Sequence, residues 1–231
     1  MAWLEHDYPN PAALIAQVAE HFDQLCTAAV HAHGSAWLAL AGGRTPLPVY
    51  ARRAASAHAH AIVAIPTDER CVPHDHPLCN LSALRAAFDG SGIDTLPLTA
   101  ADGAPDLAAI ATHPRDFDAV LLGMGADGHF SSLFPGAANL QQGLSLDGGL
   151  DAIATLPEPL PPEAPFARVS LTLPRLLRAR EVHLVVTGED KLRVLRQAQQ
   201  QDAGGPAIAG SFPVAALLHA RNHHIRIHWS P

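Results

Sequence analysis

"SAWLALAGGRTPLPVYARRAAS", residues Ser35–Ser56, decides the fold. A short apolar run, Ser35–Gly42, ends in a glycine pair, and a helix is expected to begin at about Pro46. The unit is strand, glycine loop, helix. It returns along the chain. "HAIVAIPTDE" (His60–Glu69) predicts a strand and loop, with a helix at "NLSALRAAF" (Asn80–Phe88). "FDAVLLGMG" (Phe117–Gly125) and "EVHLVVTGE" (Glu181–Glu189) predict two more strands, the second followed by a helix at Asp190–Gln201. "HHIRIHWS" (His223–Ser230) predicts a last strand. Strands that alternate with helices imply a mostly parallel sheet covered on both faces.

Upstream, Leu14, Ile15, Val18, Phe22, Leu25 and Cys26 recur at helical spacing, so a helix is expected from about Pro11, with proline in its first turn. Residues 136–167 are rich in Gly and Pro. "LPEPLPPEAP" (Leu156–Pro165) there predicts an extended surface loop rather than an interdomain linker. No internal repeat is visible. The expected architecture is α/β, a single Rossmann-like domain over residues 1–231.

Composition narrows the function. Hydrophobic residues make up 48% and charged residues 16%, which suits a sizeable core and argues against general disorder. The formal charge of -7 gives no basic nucleic-acid footprint. Fifteen histidines are scattered as pairs such as His31/His33, His58/His60, His74/His76 and His223/His224, which suits solvated surface or loops. No H-E-x-x-H or C-x-x-C spacing points to a metal. Three cysteines, Cys26, Cys71 and Cys79, lack framework spacing and fit a reducing cytoplasm. The N-terminal stretch predicts no secretory leader, and no apolar run is long enough to span a bilayer.

In open parallel sheets, ligands bind beyond the carboxyl ends of the strands. Four polar segments are expected there: Gly42–Thr45, Asp68–Arg70, Gly123–His129 and Gly188–Lys191. In the first, Gly42 and Gly43 let successive N–H groups point at one anion, and Thr45 offers a hydroxyl. An ordinary βα turn with Thr45 capping the helix is an equal alternative. Asp68, Glu69 and Arg70 place three charges at a strand end. Arg70 suits a phosphate or an oxyanion, and Glu69 suits an internal salt bridge. Lys191 opposes the dipole of the helix it opens, a conflict that an anionic ligand removes. Arg168, in "ARVSLTLP", is a weaker anion candidate that flanks a strand.

"LLGMGADGHFSSLFPG" (Leu121–Gly136) contains G-x-G-x-x-G, the dinucleotide fingerprint. That motif needs a helix opened by its third glycine and an acid at the next strand end. Pro135-Gly136 comes too soon, and Asp147 lies in a turn-like stretch. The glycines instead present Asp127 and His129, a carboxylate and a general base two residues apart.

The blocks Leu38–Tyr50, Ile65–Asn80, Val120–Gly136 and Arg168–Lys191 together resemble the 6-phosphogluconolactonase family, within the superfamily that includes glucosamine-6-phosphate deaminase. "DER", "GMGADGH", "SLFPG" and "TGEDK" carry the resemblance in combination. The deaminase branch has an acidic residue shortly after the histidine, where this chain has Leu133-Phe134-Pro135, and D-E-Y in place of "DER". Arg44 departs from the small residue of G-G-S-T-P, and either adds charge to the phosphate loop or points away. Phe130-Ser131 replaces the common Thr-Ala.

The resemblance implies hydrolysis of 6-phospho-D-glucono-1,5-lactone to 6-phospho-D-gluconate, in the oxidative pentose phosphate pathway. His129 would be the base, and Arg70 or backbone N–H groups would hold the oxyanion. Asp127 would orient His129 or bind substrate. Gly42, Gly43, Arg44, Thr45, Asp68, Lys191 and Arg168 would hold the substrate and its phosphate. It implies no cofactor, no metal, no nucleic acid and no membrane, and a cytoplasmic monomer or homodimer. A sugar-phosphate isomerase or deaminase is the alternative, followed by a non-catalytic sugar-phosphate sensor and a dinucleotide enzyme.

Overall fold

A computed structural model describes residues 3–43, 45–53, 58–111, 113, 115–201, 212–220 and 224–231. Strand β1 (Trp3–Asp7) leads into helix α1 (Pro11–His33). Then come β2 (Ala36–Leu40), α2 (Leu47–Arg53), β3 (Ile62–Pro66), β4 (Asp68–Arg70), α3 (Asn80–Ala87), β5 (Asp94–Thr95) and α4 (Leu107–Ala111). Next are β6 (Ala119–Gly123), α5 (Leu140–Leu144), β7 (Ala152–Thr155), β8 (Arg168–Leu171) and α6 (Leu173–Leu177). The chain ends with β9 (Glu181–Thr187), α7 (Glu189–Gln200), α8 (Pro213–Leu218) and β10 (Ile225–Ser230). His223, expected to open the last strand, and residues 54–56 of the predicted second helix lie outside the described residues.

Seven strands form one sheet in the order β1-β10-β9-β6-β2-β3-β5, and every neighbouring pair is parallel. Side chains alternate across it. Leu38, Leu40, Leu121 and Val185 pack under α1, α2 and α3. Ala39, Val120, Leu122, Val182, Leu184 and Val186 pack against α4 to α8. Burial on both faces explains why the central strands read as unbroken apolar runs. Helix α1 begins where expected: the Asn10 side chain accepts the Ala13 N–H at 2.9 Å, with Pro11 in the first turn. Gly34 ends it, its N–H donating to the Val30 carbonyl at 2.8 Å.

The loop expected at Leu156–Pro165 is present, with no helix or strand in it, while α5 and β7 occupy earlier parts of the Gly- and Pro-rich stretch 136–167. One expectation needs correction. Asp68–Arg70 is not a plain loop beyond β3. It forms a small antiparallel sheet, β4-β8-β7, whose Asp68 pairs with Ser170 and Arg70 with Arg168. The turn at Thr67 redirects the chain into that second sheet, and the Leu171 N–H donates to the Thr67 carbonyl at 2.9 Å.

Topology selects one crevice. From β2 the chain builds outward through β3 and β5, then returns to the other side of β2 for β6, β9 and β10. The direction reverses between β2 and β6, so the loops after these strands diverge at their carboxyl ends. Those loops begin at Ala41 and Met124. No described helix is long and apolar enough to cross a membrane.

Candidate active site

The loop after β6 folds into a tight turn. The Gly125 N–H donates to the His129 carbonyl at 2.9 Å, and the Gly128 N–H to the Gly125 carbonyl at 3.1 Å. No helix opens at Gly128, so the G-x-G-x-x-G match lacks the element that a dinucleotide site requires. The turn instead brings His129 Nδ1 to 2.5 Å from Asp127 Oδ1, and the same oxygen accepts the His129 backbone N–H at 3.2 Å. Burial alone would raise the Asp127 carboxyl. The hydrogen bond and charge of His129 outweigh it and hold the group below its usual range. An ionised carboxylate only accepts, so Nδ1 carries the proton and a neutral ring keeps its lone pair on Nε2.

Phe134, from "SLFPG", lies 4.4 Å from His129 between ring centroids. An aromatic ring, not a carboxylate, stands against the imidazole. Ser131, between them, adopts a φ of 50°, rare for a residue with a side chain.

Residues beside the four predicted segments tie them together. Ser132 Oγ donates to Asp68 Oδ2 at 2.6 Å, and the Ser132 N–H donates to Ser170 Oγ at 3.1 Å. The histidine loop is thereby fastened to β4 and β8. Asn80 Nδ2 donates to the Asp68 carbonyl at 2.8 Å. The Asn80 side chain fills the space where a Cβ on Gly42 would stand, so Gly42 lets the first loop close on β4. Thr45 Oγ1 and Thr187 Oγ1 are 3.5 Å apart, which links that loop to the end of β9. Gly43 has a φ of 97°. Lys191 sits half-buried on the first turn of α7, beside the acidic Glu189 and Asp190. Arg44 lies outside the described residues.

Asp68, Arg70, Arg168 and Ser170 share one face of the small sheet, by strand alternation. Arg70 donates from Nη1 to the Leu78 carbonyl at 2.6 Å, while its buried Nε has no partner. Arg168 is buried and donates to the carbonyls of Ala164, Phe166 and Ala167. Burial, then the facing charge of Arg70, push the Arg168 guanidinium down, and Asp68 pulls the other way. Like charges directly opposite each other are unfavourable. An anion beside both guanidinium groups would relieve this.

Glu69 points to the other face and is not the salt-bridge partner expected. Its buried carboxylate accepts the N–H groups of Asn80 and Leu81 at 2.7 Å and of Arg70 at 2.8 Å. Two of these are among the N–H groups that the start of α3 leaves without helical partners. Burial pushes the carboxyl up, and the three N–H donors pull against it. Glu69→Ala is expected to cost about 3 kcal/mol by orphaning these donors. That corresponds to a Tm roughly 6–12 °C lower in thermal unfolding.

Ser132, Ser170 and Asn80 were not among the residues expected from sequence. Ser132 lies inside the quoted "FSSLFPG", but its partner is 64 residues away.

The model of the family described as glucosamine-6-phosphate isomerases/6-phosphogluconolactonase matches residues 9–229. A 6-phosphogluconolactonase of Caulobacter vibrioides is 35% identical over 88% of this chain and 87% of its own. One from Pseudomonas putida is 32% identical over 98% and 92%. The crystal structure of a 6-phosphogluconolactonase from Shewanella baltica superimposes with a TM-score of 0.84 at 30% identity, covering 99% of this chain and 97% of that one. These matches span nearly the whole chain, and the chain belongs to the glucosamine-6-phosphate isomerase/6-phosphogluconolactonase family.

Proposed function

We propose that the protein hydrolyses 6-phospho-D-glucono-1,5-lactone to 6-phospho-D-gluconate, acting as one domain without a cofactor in the reaction. The observation that carries this is the Asp127–His129 pair at the switch point, with Phe134 rather than a second carboxylate against the imidazole. Lactone hydrolysis needs one base and an oxyanion partner. Ring opening with loss of ammonia needs a further acid.

In this mechanism His129 Nε2 takes a proton from water as the oxygen adds to the lactone carbonyl. Asp127 keeps the ring in the required tautomer and stabilises the imidazolium. The carbonyl oxygen becomes an oxyanion that Arg70 or backbone N–H groups stabilise. As the intermediate collapses, the bond from carbon to the ring oxygen breaks. Nε2–H returns its proton to that oxygen, leaving a hydroxyl and a carboxylic acid that ionises. Gly42–Thr45 and Lys191, joined through the Thr45–Thr187 contact, hold the phosphate, with Arg168 backing the anionic site. Holding the phosphate fixes the distant carbonyl beside His129.

Lys191→Ala is expected to raise KM roughly tenfold to a hundredfold, the loss of one charge-assisted bond, with little change in kcat. Initial rates at varied lactone concentration check it. The function itself is tested with two substrates: the protein should consume the lactone and release no ammonia from glucosamine 6-phosphate. Ammonia release without lactone turnover overturns the proposal.

A further inference from the structure

A second polar cluster lies under α1, toward the amino ends of the strands. Strand β9 opens with Glu181-Val182-His183, and its two-residue period turns Glu181 and His183 to the α1 face. His183 is four residues from Thr187, about 13 Å along the strand from the catalytic end. His21, on α1 beside the core residue Phe22, reaches the same place. Its Nε2 lies 3.0 Å from Glu181 Oε2, and His183 Nε2 lies 3.5 Å from that oxygen. One ligand atom from each of the three lies within 4.8 Å of the others.

His183 is fully buried, yet its Nε2 has no hydrogen-bond partner; the approach to Glu181 lacks hydrogen-bond geometry. Its Nδ1 is 3.0 Å from His228 Nε2, and His228 Nδ1 is 2.9 Å from the Tyr8 hydroxyl. These contacts allow a tautomer in which His183 Nδ1–H donates to His228 Nε2 and His228 Nδ1–H to the Tyr8 hydroxyl, and in it the lone pair of His183 Nε2 faces Glu181 and His21.

We propose that His21, Glu181 and His183 form a binding site for a divalent transition-metal ion of the zinc type, separate from the catalytic crevice. Two imidazole nitrogens and one carboxylate oxygen suit zinc and its neighbours, not calcium or magnesium. Bonds of about 2.0–2.1 Å in a tetrahedral site place ligand atoms roughly 3.3 Å apart; the two edges to Glu181 Oε2, 3.0 and 3.5 Å, bracket that value, and the third lies within 4.8 Å. His21 and Glu181 retain 29% and 20% side-chain exposure, which leaves a path for the ion and a position for water. Outer partners are already present: His228 behind His183, and Arg226, whose Nε donates to Glu181 Oε2 at 2.6 Å. The guanidinium charge opposes the ion, and the ionised carboxylate offsets it. The sequence carried no such signal, because His21 lies 160 positions from Glu181 and the three follow no contiguous metal motif. A bound ion would clasp α1 to β9, so its effect falls on stability.

The test uses the full chain, stripped of metal with a chelator and titrated with Zn2+ by calorimetry. Co2+ serves as a spectroscopic probe. The wild type should bind one Zn2+ per chain at its tight site, show tetrahedral Co2+ absorption, and gain roughly 5 °C or more in Tm at a hundredfold excess over Kd. His21→Ala, at a partly exposed position, should weaken binding by at least about tenfold and abolish the Co2+ signature. His183→Gln should do the same if it folds. His129→Ala should keep wild-type affinity. Absence of binding by the wild type, or wild-type affinity in His21→Ala, overturns the proposal. Either result leaves the lactonase reading untouched, since the readouts are binding and Tm.

Discussion

His129→Ala should lower kcat for 6-phosphogluconolactone by about a hundredfold to ten-thousandfold, the range general-base catalysis supplies. KM should change little, because the phosphate is held by other segments. The expectation rests on the 2.5 Å contact to Asp127, which commits Nδ1 and leaves Nε2 as the base. His129 is partly exposed, so truncation opens no sealed cavity and the fold should persist. Steady-state rates, corrected for spontaneous hydrolysis, with a matching thermal melt, separate lost chemistry from lost structure. Near-normal turnover in this variant would remove His129 from the mechanism.

Gly125→Ala should cost about a hundredfold in kcat while leaving the fold intact. A Cβ at Gly125 would stand 2.5 Å from Asp127 Oδ1 and nearer still to His129 Nδ1. Real side chains do not approach so closely, so the carboxylate and the imidazole must part or turn. A displacement of about 1 Å at a reacting group typically costs that factor. The backbone at Gly125 is not in the left-handed region, so alanine itself adds no strain there. A variant with lowered kcat and an unchanged melt would tie rate to the geometry of the pair. Full activity would mean that the pair tolerates displacement and does not act as proposed.

The parallel sheet was legible because strands buried on both faces keep an apolar run such as Leu38–Leu40 or Val120–Leu122. Strand β1 was not, since "WLEHD" is an edge with one neighbour and exposed polar positions. The second sheet escaped because β4, β7 and β8 are three or four residues long and pair across large separations. At the site, Asp127 and His129 were legible as a local pair two residues apart. Glu69 was misjudged for a physical reason. Neighbouring charges suggest an ion pair, but the two-residue period of β4 sends Glu69 to the opposite face from Asp68 and Arg70, where α3 begins. The Ser132–Asp68 and Asn80–Asp68 links join distant segments, and no local pattern marks them. The buried His183–His228 pair was hidden for the same reason, across 45 positions.

The central claim is that this crevice hydrolyses the phosphorylated lactone. The most direct measurement follows the disappearance of freshly prepared 6-phosphogluconolactone in the presence of the purified chain and in its absence. The account predicts loss of lactone well above the spontaneous rate, proportional to protein concentration, with 6-phosphogluconate as the product. Loss at the spontaneous rate, whatever the protein concentration, would contradict it.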